Sequence, residues 1–475
     1  MTVQEDANPS PAPEATGAAD AVSRGLRINF GAGALGMAVV LNTPAGILAP
    51  FMTNFLGIGA ATVATLLLAS KLYDVVTDPL MGIISDRTRS RWGRRRPFLF
   101  LGGLIAAAGF ALAFNPPEYA GQTPLIAFML AALLLTYTGY TVFNIPYLAM
   151  PAEMTDSYHV RTSLMAHRIA FVNVGGLISV FSFALVEYLG NDRGAHGTMA
   201  WIYAVVIVVA SVYCFFGTGS ARQTAITEHR YPIGTQIRTA FDNRPLLLLL
   251  GAKLGQLLGL ATAGVTGVYF KVVILGMSYT LTTVYLVTIT VVIILVLPLW
   301  SRASRKYGKR SIYMLCTAGY ALVTASWLLA TAQDPLSYVF VRAVFLGLFG
   351  SGVLVMGPSL LPDAVEYDYL KTGMRREATI SAFYTTVEKF SFAIGPALAL
   401  YILGWFGYQA GTGGMQAEQP ASAITAIYIG AGLVPAALYG LSLVFLLKYD
   451  LSEEKLKAAR AAAGAAGGEE QPRGV

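Results

Sequence analysis

Long apolar stretches separated by short polar connections run through most of the chain. Twelve of them can be distinguished, at 28–53, 60–84, 97–115, 124–149, 165–188, 199–217, 245–273, 279–300, 311–331, 337–361, 378–405 and 422–447. A helix needs about 20 mostly apolar residues to cross the hydrocarbon core of a bilayer. The pattern therefore predicts an all-α integral membrane protein with twelve transmembrane helices in contact with the lipid bilayer.

The composition excludes several classes of protein. Of the 475 residues, 55% are apolar and only 12% are charged, whereas soluble proteins carry about 25% charged residues. So few charged residues cannot form the surface of a soluble protein. The composition therefore argues against a soluble enzyme, a nucleic-acid-binding protein and a disordered scaffold. The sequence contains no nucleotide-binding loop, zinc-ligand pattern or nucleophile motif. We therefore expect a secondary transporter with no enzymatic activity, no cofactor and no nucleic-acid partner.

Basic residues concentrate in alternate connections between the apolar stretches. Arginine occurs six times in 86–96 and four times in 222–244, and 302–310 holds five Lys and Arg residues. Lysine and arginine are absent from the connections at 53–60, 115–123, 333–337 and 406–421. Because basic connections stay in the cytoplasm, we predict a multi-pass protein of the cell (inner) membrane with both termini cytoplasmic.

The basic connection after the second stretch recurs six stretches later. Gly93-Arg94-Arg95-Arg96 in the first copy corresponds to Gly308-Lys309-Arg310 in the second. Two six-helix halves related by an axis along the membrane normal are the arrangement of major facilitator transporters, which usually act as monomers. The predicted units are a disordered cytoplasmic tail, an N-terminal half, a central cytoplasmic loop, a C-terminal half and a second cytoplasmic tail, at 1–26, 27–218, 219–244, 245–448 and 449–475.

Ionisable residues inside a membrane span are costly, so each is a candidate for function. The second stretch contains Lys71, Asp74 and Asp78, and spacings of three and four place all three on one helix face. Two carboxylates one turn apart repel each other unless a positive charge lies between them. A sodium ion, a proton or Lys71 can supply it. The alternative is a buried ion pair that only holds helices together.

Other spans add polar side chains for which the pattern allows more than one role. Tyr140, Thr141 and Asn144 share one face of the fourth span, where they offer oxygen ligands to an ion or solute, or hydrogen bonds between helices. Arg168 opens the fifth span as a topology charge or a cavity cation. Neighbours on a helix point about 100° apart, so only one residue of Glu388-Lys389 needs to face a cavity.

The segment KLYDVVTDPLMG at 71–82, followed by the Arg-rich run at 86–97, resembles the signature of the glycoside–pentoside–hexuronide:cation symporters. The blocks at 140–147 and 363–389 resemble the same family, and the similarity runs from about residue 29 to residue 449. The resemblance implies a major facilitator fold and cation-coupled (Na⁺ or H⁺) symport of a small solute by alternating access. The solute class that it implies is a glycoside or related sugar.

The resemblance also implies roles for individual residues. Asp74 and Asp78 bind the coupling cation, a Na⁺ where the ion is a metal, and Thr141 completes the site; we expect Thr77, beside the second carboxylate, to belong to it as well. The solute site comprises Tyr140, Asn144, Arg168 and Lys389. From the charges themselves, and not from the resemblance, we expect coupling or gating at Lys71, Arg87, Arg94, Asp363 and Glu366, because the basic connection can latch onto acids of the other half.

Three positions depart from the family pattern. Ala38 and Asn144 stand where sugar-transporting members have acids, and Thr77 stands where they have Asn. A sugar's hydroxyls are best bound by charged acceptors. A lysophospholipid or another amphiphilic solute is therefore an alternative cargo, and a membrane sensor that transports nothing is an alternative from another class.

Overall fold

The computed structural model describes residues 22–118, 121–155, 157–221, 243–372, 377–411, 418–451, 454–458 and 460–461. The predicted tail up to residue 21, most of the central loop and residues 462–475 lie outside the described residues. Within these described ranges, twelve helices are long and apolar enough to cross a membrane. They are α1 Arg24–Asn54, α2 Ala60–Arg87, α3 Arg96–Phe114, α4 Gln122–Met154, α5 His159–Tyr188, α6 Arg193–Gly217, α7 Arg244–Ile274, α8 Tyr279–Tyr307, α9 Lys309–Leu329, α10 Leu336–Thr372, α11 Ile380–Trp405 and α12 Ala421–Lys448.

The twelve predicted spans are confirmed, but several helices are longer than the apolar stretches. The first begins at Arg24, where the Ser23 hydroxyl accepts a hydrogen bond from the Leu26 amide, so helix replaces the last three residues of the predicted tail. Helix α10 continues to Thr372 and includes the segment around Asp363 that was predicted to be a connection. The residues after the apolar stretch continue α10 because they favour helix. Their polar side chains lie beyond the hydrocarbon core, where water and lipid headgroups can solvate them.

The helices form two sets of six that repeat the same packing. In the first set α1 packs on α5 and α6, α3 on α4 and α6, and α2 on α4. In the second set α7 packs on α11 and α12, α9 on α10 and α12, and α8 on α10. Each partner in the second set is six helices after its counterpart, as expected for two related halves. The halves meet through α2 with α11 and through α5 with α8.

Small residues permit the closest of these contacts. A Cβ on Gly33 of α1 would lie 2.7 Å from the Cys214 sulfur of α6, and one on Gly36 would lie 3.2 Å from Ala210. Lipid tails are as apolar as leucine, so helices in a membrane associate through such close packing. The glycines of α1 therefore serve to bring α6 close.

Hydrogen bonds between the halves close one end of the molecule. At the end opposite the basic connections, the hydroxyls of Thr53 and Tyr269 lie 2.9 Å apart, and the Tyr408 hydroxyl donates to Asn54 Oδ1 at 3.0 Å. The Gly411 amide also donates to the Thr53 carbonyl at 3.0 Å. All these side chains are buried. We call this region the closed end and the other one the basic end.

Candidate functional site

Two carboxylates and one hydroxyl converge between α2 and α4. The Thr141 hydroxyl lies 2.9 Å from Asp78 Oδ1 and 3.3 Å from Asp74 Oδ1. Thr141 is buried, and the Asp74 and Asp78 side chains are only 15% and 14% exposed. Hard cations prefer oxygen ligands of this kind. We call this group of three residues the oxygen cluster; its composition suits a small monovalent cation.

Each carboxylate of the oxygen cluster also has an ammonium group beside it. Lys389 Nζ of α11 lies 2.5 Å from Asp78 Oδ2, and Lys71 Nζ lies 3.8 Å from Asp74 Oδ2. Lys71 also lies over the Tyr137 ring, 3.9 Å from its centroid. The two lysines neutralise the carboxylates in this conformation. A cation that enters the cluster must therefore replace at least one ammonium group.

Thr77 lies on α2 but does not join the oxygen cluster. Its hydroxyl donates to the backbone carbonyl of Tyr73 at 3.1 Å, with the Asp74 carbonyl 3.4 Å away. Threonine in a helix commonly makes this bond to its own backbone. The structure thus brings together three of the four predicted cation ligands and leaves Thr77 aside.

The predicted solute residues lie next to the oxygen cluster. Tyr140 is within electrostatic reach of Asp74, Asp78 and Arg168, and Asn144 follows one turn later on the same face of α4, half-buried. Arg168 is nine residues into α5 instead of at its start, because the helix begins earlier than the apolar stretch. Its Nε is buried without a hydrogen-bond partner among the described residues. Such a donor is available to a bound solute.

A second ion pair, which the sequence did not identify, joins α7 to α11. Lys253 Nζ lies 2.7 Å from Glu388 Oε1. Both members of Glu388-Lys389 are thus engaged, one with each half of the protein. The only sequence signal was the presence of charged residues within the seventh and eleventh apolar stretches; their pairing follows from the packing of α7 on α11.

The predicted gating residues pair within their own halves. Arg94 and Arg95 both bind the buried Glu153 carboxylate of α4, and Arg87 is exposed at the end of α2. In the other half, Lys309 binds Asp363 at 2.6 Å, and Glu366 is bound at 2.5 Å by Arg460, which belongs to the segment predicted as the second cytoplasmic tail. The structure therefore does not bring the arginines of the basic connection together with Asp363 or Glu366.

Comparisons with known proteins agree with this architecture. The family model described as MFS/sugar transport protein matches residues 29–453. The inner membrane symporter YicJ of Escherichia coli is 27% identical, with 91% of this chain and 93% of that protein covered. The isoprimeverose transporter of Lactiplantibacillus pentosus is 28% identical over 85% and 84% of the two chains. The crystal structure of a D-xylose-proton symporter has a similar fold, with a TM-score of 0.64, 13% identity and coverage of 90% and 97%.

Proposed function

Because this chain belongs to the glycoside–pentoside–hexuronide:cation symporter family of the major facilitator superfamily, we propose that it couples the uptake of a sugar or glycoside to a monovalent cation. Members of this family are transporters and not enzymes. The observation that carries the proposal is the oxygen cluster between α2 and α4, with the Lys389 ammonium at 2.5 Å from Asp78.

Sodium is the first candidate for the coupling ion, and the proton is the second. A proton needs one carboxylate oxygen, whereas a metal ion needs several oxygens around it. Thr141 adds a hydroxyl oxygen to those of the two carboxylates and lies within 3.3 Å of one oxygen of each, and this group of oxygens favours a metal ion.

Coupling follows from competition between the cation and Lys389. A cation bound to Asp74 and Asp78 releases the Lys389 ammonium, which then becomes available to a solute between the halves. Linkage requires that the cation raise solute affinity by the same factor as the solute raises cation affinity. Tyr140 interacts electrostatically with both carboxylates and with Arg168, which supports a solute site that includes Tyr140 and Arg168 beside the cluster.

We propose that transport proceeds by alternating access between the N-terminal half (27–218) and the C-terminal half (245–448). The basic end is assigned to the cytoplasm by its arginines and lysines, with both termini on that side of the inner membrane. In this assignment the conformation described here is closed toward the outside. When the basic end closes, Arg94 can exchange Glu153 for Asp363 or Glu366 of the other half. A monomer is sufficient for this cycle.

Thermal stability of the purified protein in detergent tests the proposal, since a ligand of the native state raises its melting temperature. The panel consists of isoprimeverose, methyl β-D-xyloside, methyl β-D-glucoside, methyl β-D-glucuronide and lysophosphatidylcholine, each with sodium chloride or choline chloride. We expect stabilisation by a sugar that grows with sodium. Stabilisation only by lysophosphatidylcholine, or no change in melting temperature with any ligand, would contradict the proposal and favour a lipid transporter or a sensor, respectively.

A further inference from the structure

The ion pair between α7 and α11 leaves part of a carboxylate free. Lys253 Nζ binds Glu388 Oε1 at 2.7 Å, donates to the Tyr384 carbonyl at 3.3 Å and lies over the Tyr384 ring. The Lys253 side chain is 6% exposed, whereas that of Glu388 is 46% exposed. Glu388 Oε2 has no hydrogen-bond partner among the described residues. Lys253 is thus fully engaged while Glu388 retains acceptor capacity.

The free side of Glu388 faces the space between the halves. Its neighbour Lys389 reaches α2 of the N-terminal half, and Glu388 reaches α7 of the C-terminal half. Adjacent helical residues point about 100° apart, so Glu388 lies in the sector of α11 between partners from opposite halves. Residues on the same side of the helix include the exposed Ser381 and Thr385 and the exposed Phe392, one turn after Glu388. This side therefore offers both polar groups and an aromatic ring, as a sugar site does.

Glu388 has a counterpart of opposite charge in the N-terminal half. Helices α5 and α11 are related by the repeat, since α5 packs on α1 and α11 packs on α7. Arg168 lies ten residues after Tyr158 and Glu388 lies eleven residues after Glu377, where the two helices begin, or about 15 and 17 Å along them. A donor and an acceptor therefore occupy related helices at similar depth, and each retains unused hydrogen-bonding capacity.

We propose that Glu388, positioned by Lys253, accepts hydrogen bonds from a pair of adjacent hydroxyls on the transported sugar. The inference rests on the proposed function and names the hydroxyl acceptor of the C-terminal half. A carboxylate has about four acceptor positions, and Lys253 uses one. The acids that the resemblance led us to expect in the N-terminal half are replaced by Ala38 and Asn144, so Glu388 supplies the missing charged acceptor from the other side.

Lys253 acts as a positioning residue and does not contact the sugar. Its ammonium is buried against Tyr384, so it fixes one carboxylate oxygen and directs the other toward the space between the halves. Substitution Lys253→Met should raise the KM for the sugar with a smaller effect on maximal uptake, and Lys253→Arg should restore most of the affinity. A purely structural role would instead lower the melting temperature without a selective change in KM.

The test measures sugar affinity of the purified full-length protein in sodium. The probes are methyl β-D-xyloside, methyl β-D-glucoside and methyl β-D-glucuronide, together with the 2-deoxy and 3-deoxy analogues of the tightest binder. Hydrogen bonds to a charged group contribute enough that Glu388→Gln should weaken binding by about 10- to 100-fold. In the wild type, one of the deoxy analogues should bind more weakly than the parent sugar. In Glu388→Gln this difference in affinity should shrink to about twofold or less, since the analogue and the variant remove the same hydrogen bond.

Controls separate the possible outcomes. Glu418→Gln makes the same chemical change in an exposed connection and should leave sugar affinity unchanged. Glu388→Gln should keep its stabilisation by sodium, which reports an intact oxygen cluster. If Glu388→Gln does not fold, Glu388→Asp replaces it in the test. Its side chain is shorter by one methylene, so it should bind the sugar more weakly and still bind sodium.

If Glu388→Gln binds the sugar as tightly as the wild type, the inference is wrong but the proposed function stands. The same holds for Glu388→Asp if Glu388→Gln does not fold. The inference would also be wrong if removing a hydroxyl from the sugar weakened binding to Glu388→Gln as much as it weakens binding to the wild type. A wild-type protein that binds neither isoprimeverose nor any of the three glycosides would overturn the proposed function, and the inference with it.

Discussion

Lys389 and Asp78 form an ion pair of 2.5 Å that joins the two halves of the molecule at the level of the oxygen cluster. The residues are 311 positions apart in the sequence. The Asp78 side chain is 14% exposed and that of Lys389 is 59% exposed, so the lysine can leave more easily than the carboxylate. In the proposed cycle this pair breaks when a cation binds, which links ion binding to the contact between α2 and α11.

The carboxylates should be necessary for coupling. Asp78→Asn or Asp74→Asn should abolish sodium-stimulated uptake and the rise in melting temperature with sodium, because an amide cannot neutralise the cation. Both variants should remain folded, since each removes a charge that is costly in a membrane. Asp86→Asn, on α2 but paired with Arg95 at the basic end, is the matched control and should retain stimulation. Full stimulation in both site variants would rule out this cation site.

Substitution of Thr141, a member of the oxygen cluster, and of Thr77, outside it, should affect sodium binding differently. Thr141→Val removes a hydroxyl that lies 2.9 Å from Asp78 and should weaken sodium binding by about 1–3 kcal/mol, the cost of losing a hydrogen bond to a buried charge. Thr77→Val removes a hydroxyl that binds only its own helix backbone and should change sodium affinity by less than about 0.5 kcal/mol. Titration of the melting temperature with sodium compares the two. Equal losses would show that Thr77 is also a ligand.

Lys389 should act as a competitor of the cation. Lys389→Gln removes the ammonium from Asp78, so sodium should bind at lower concentration, by about tenfold for a partly exposed ion pair. The increase in sodium affinity that the sugar causes should become smaller at the same time. The variant lacks the Lys389 ammonium group that, in the proposed cycle, leaves Asp78 for the solute when sodium binds. Lys306→Gln, at the basic end of α8, serves as control. Weaker sodium binding in Lys389→Gln would mean that the lysine supports the site.

The closed end should depend on its hydroxyl contacts. Tyr269→Phe and Tyr408→Phe each remove one hydrogen bond between the halves and should shift the equilibrium away from this conformation by about 1 kcal/mol each. Accessibility of a single cysteine at Asn42, exposed on α1, to impermeant thiol reagents from either side measures the shift. Tyr428→Phe removes a bond within the C-terminal half and should have no such effect. Unchanged accessibility in both gate variants would contradict the assignment of the closed end.

Glu153 should be important for stability. It is 6% exposed and binds two arginines of the basic connection, so Glu153→Gln leaves Arg94 without a carboxylate partner and Arg95 with Asp86 alone. Breaking a buried ion pair from one side costs about 3–5 kcal/mol, which should appear as a lower melting temperature. Glu418→Gln, in an exposed connection, should leave the melting temperature unchanged. A full-stability Glu153→Gln would show that water solvates this end of the molecule.

The pattern of apolar stretches and basic connections was sufficient to predict twelve spans and their arrangement as two repeated halves. Those features depend on spacing along the chain, since a span must match the bilayer and a repeat is visible as a repeated motif. The positions of Asp74 and Asp78 were likewise predictable, because three- and four-residue spacings in one helix determine which side chains share a face.

Only the tertiary structure decided which of the polar residues meet. Thr77 and Thr141 are equivalent in sequence terms, but the orientation of α4 against α2 brings the second to the carboxylates while the first bonds to its own backbone. Lys253 and Glu388 are 135 positions apart, and their contact follows from the packing of α7 on α11. Contacts between helices depend on the rotation and depth of each helix, which packing of the whole bundle determines and which spacing within one segment does not encode.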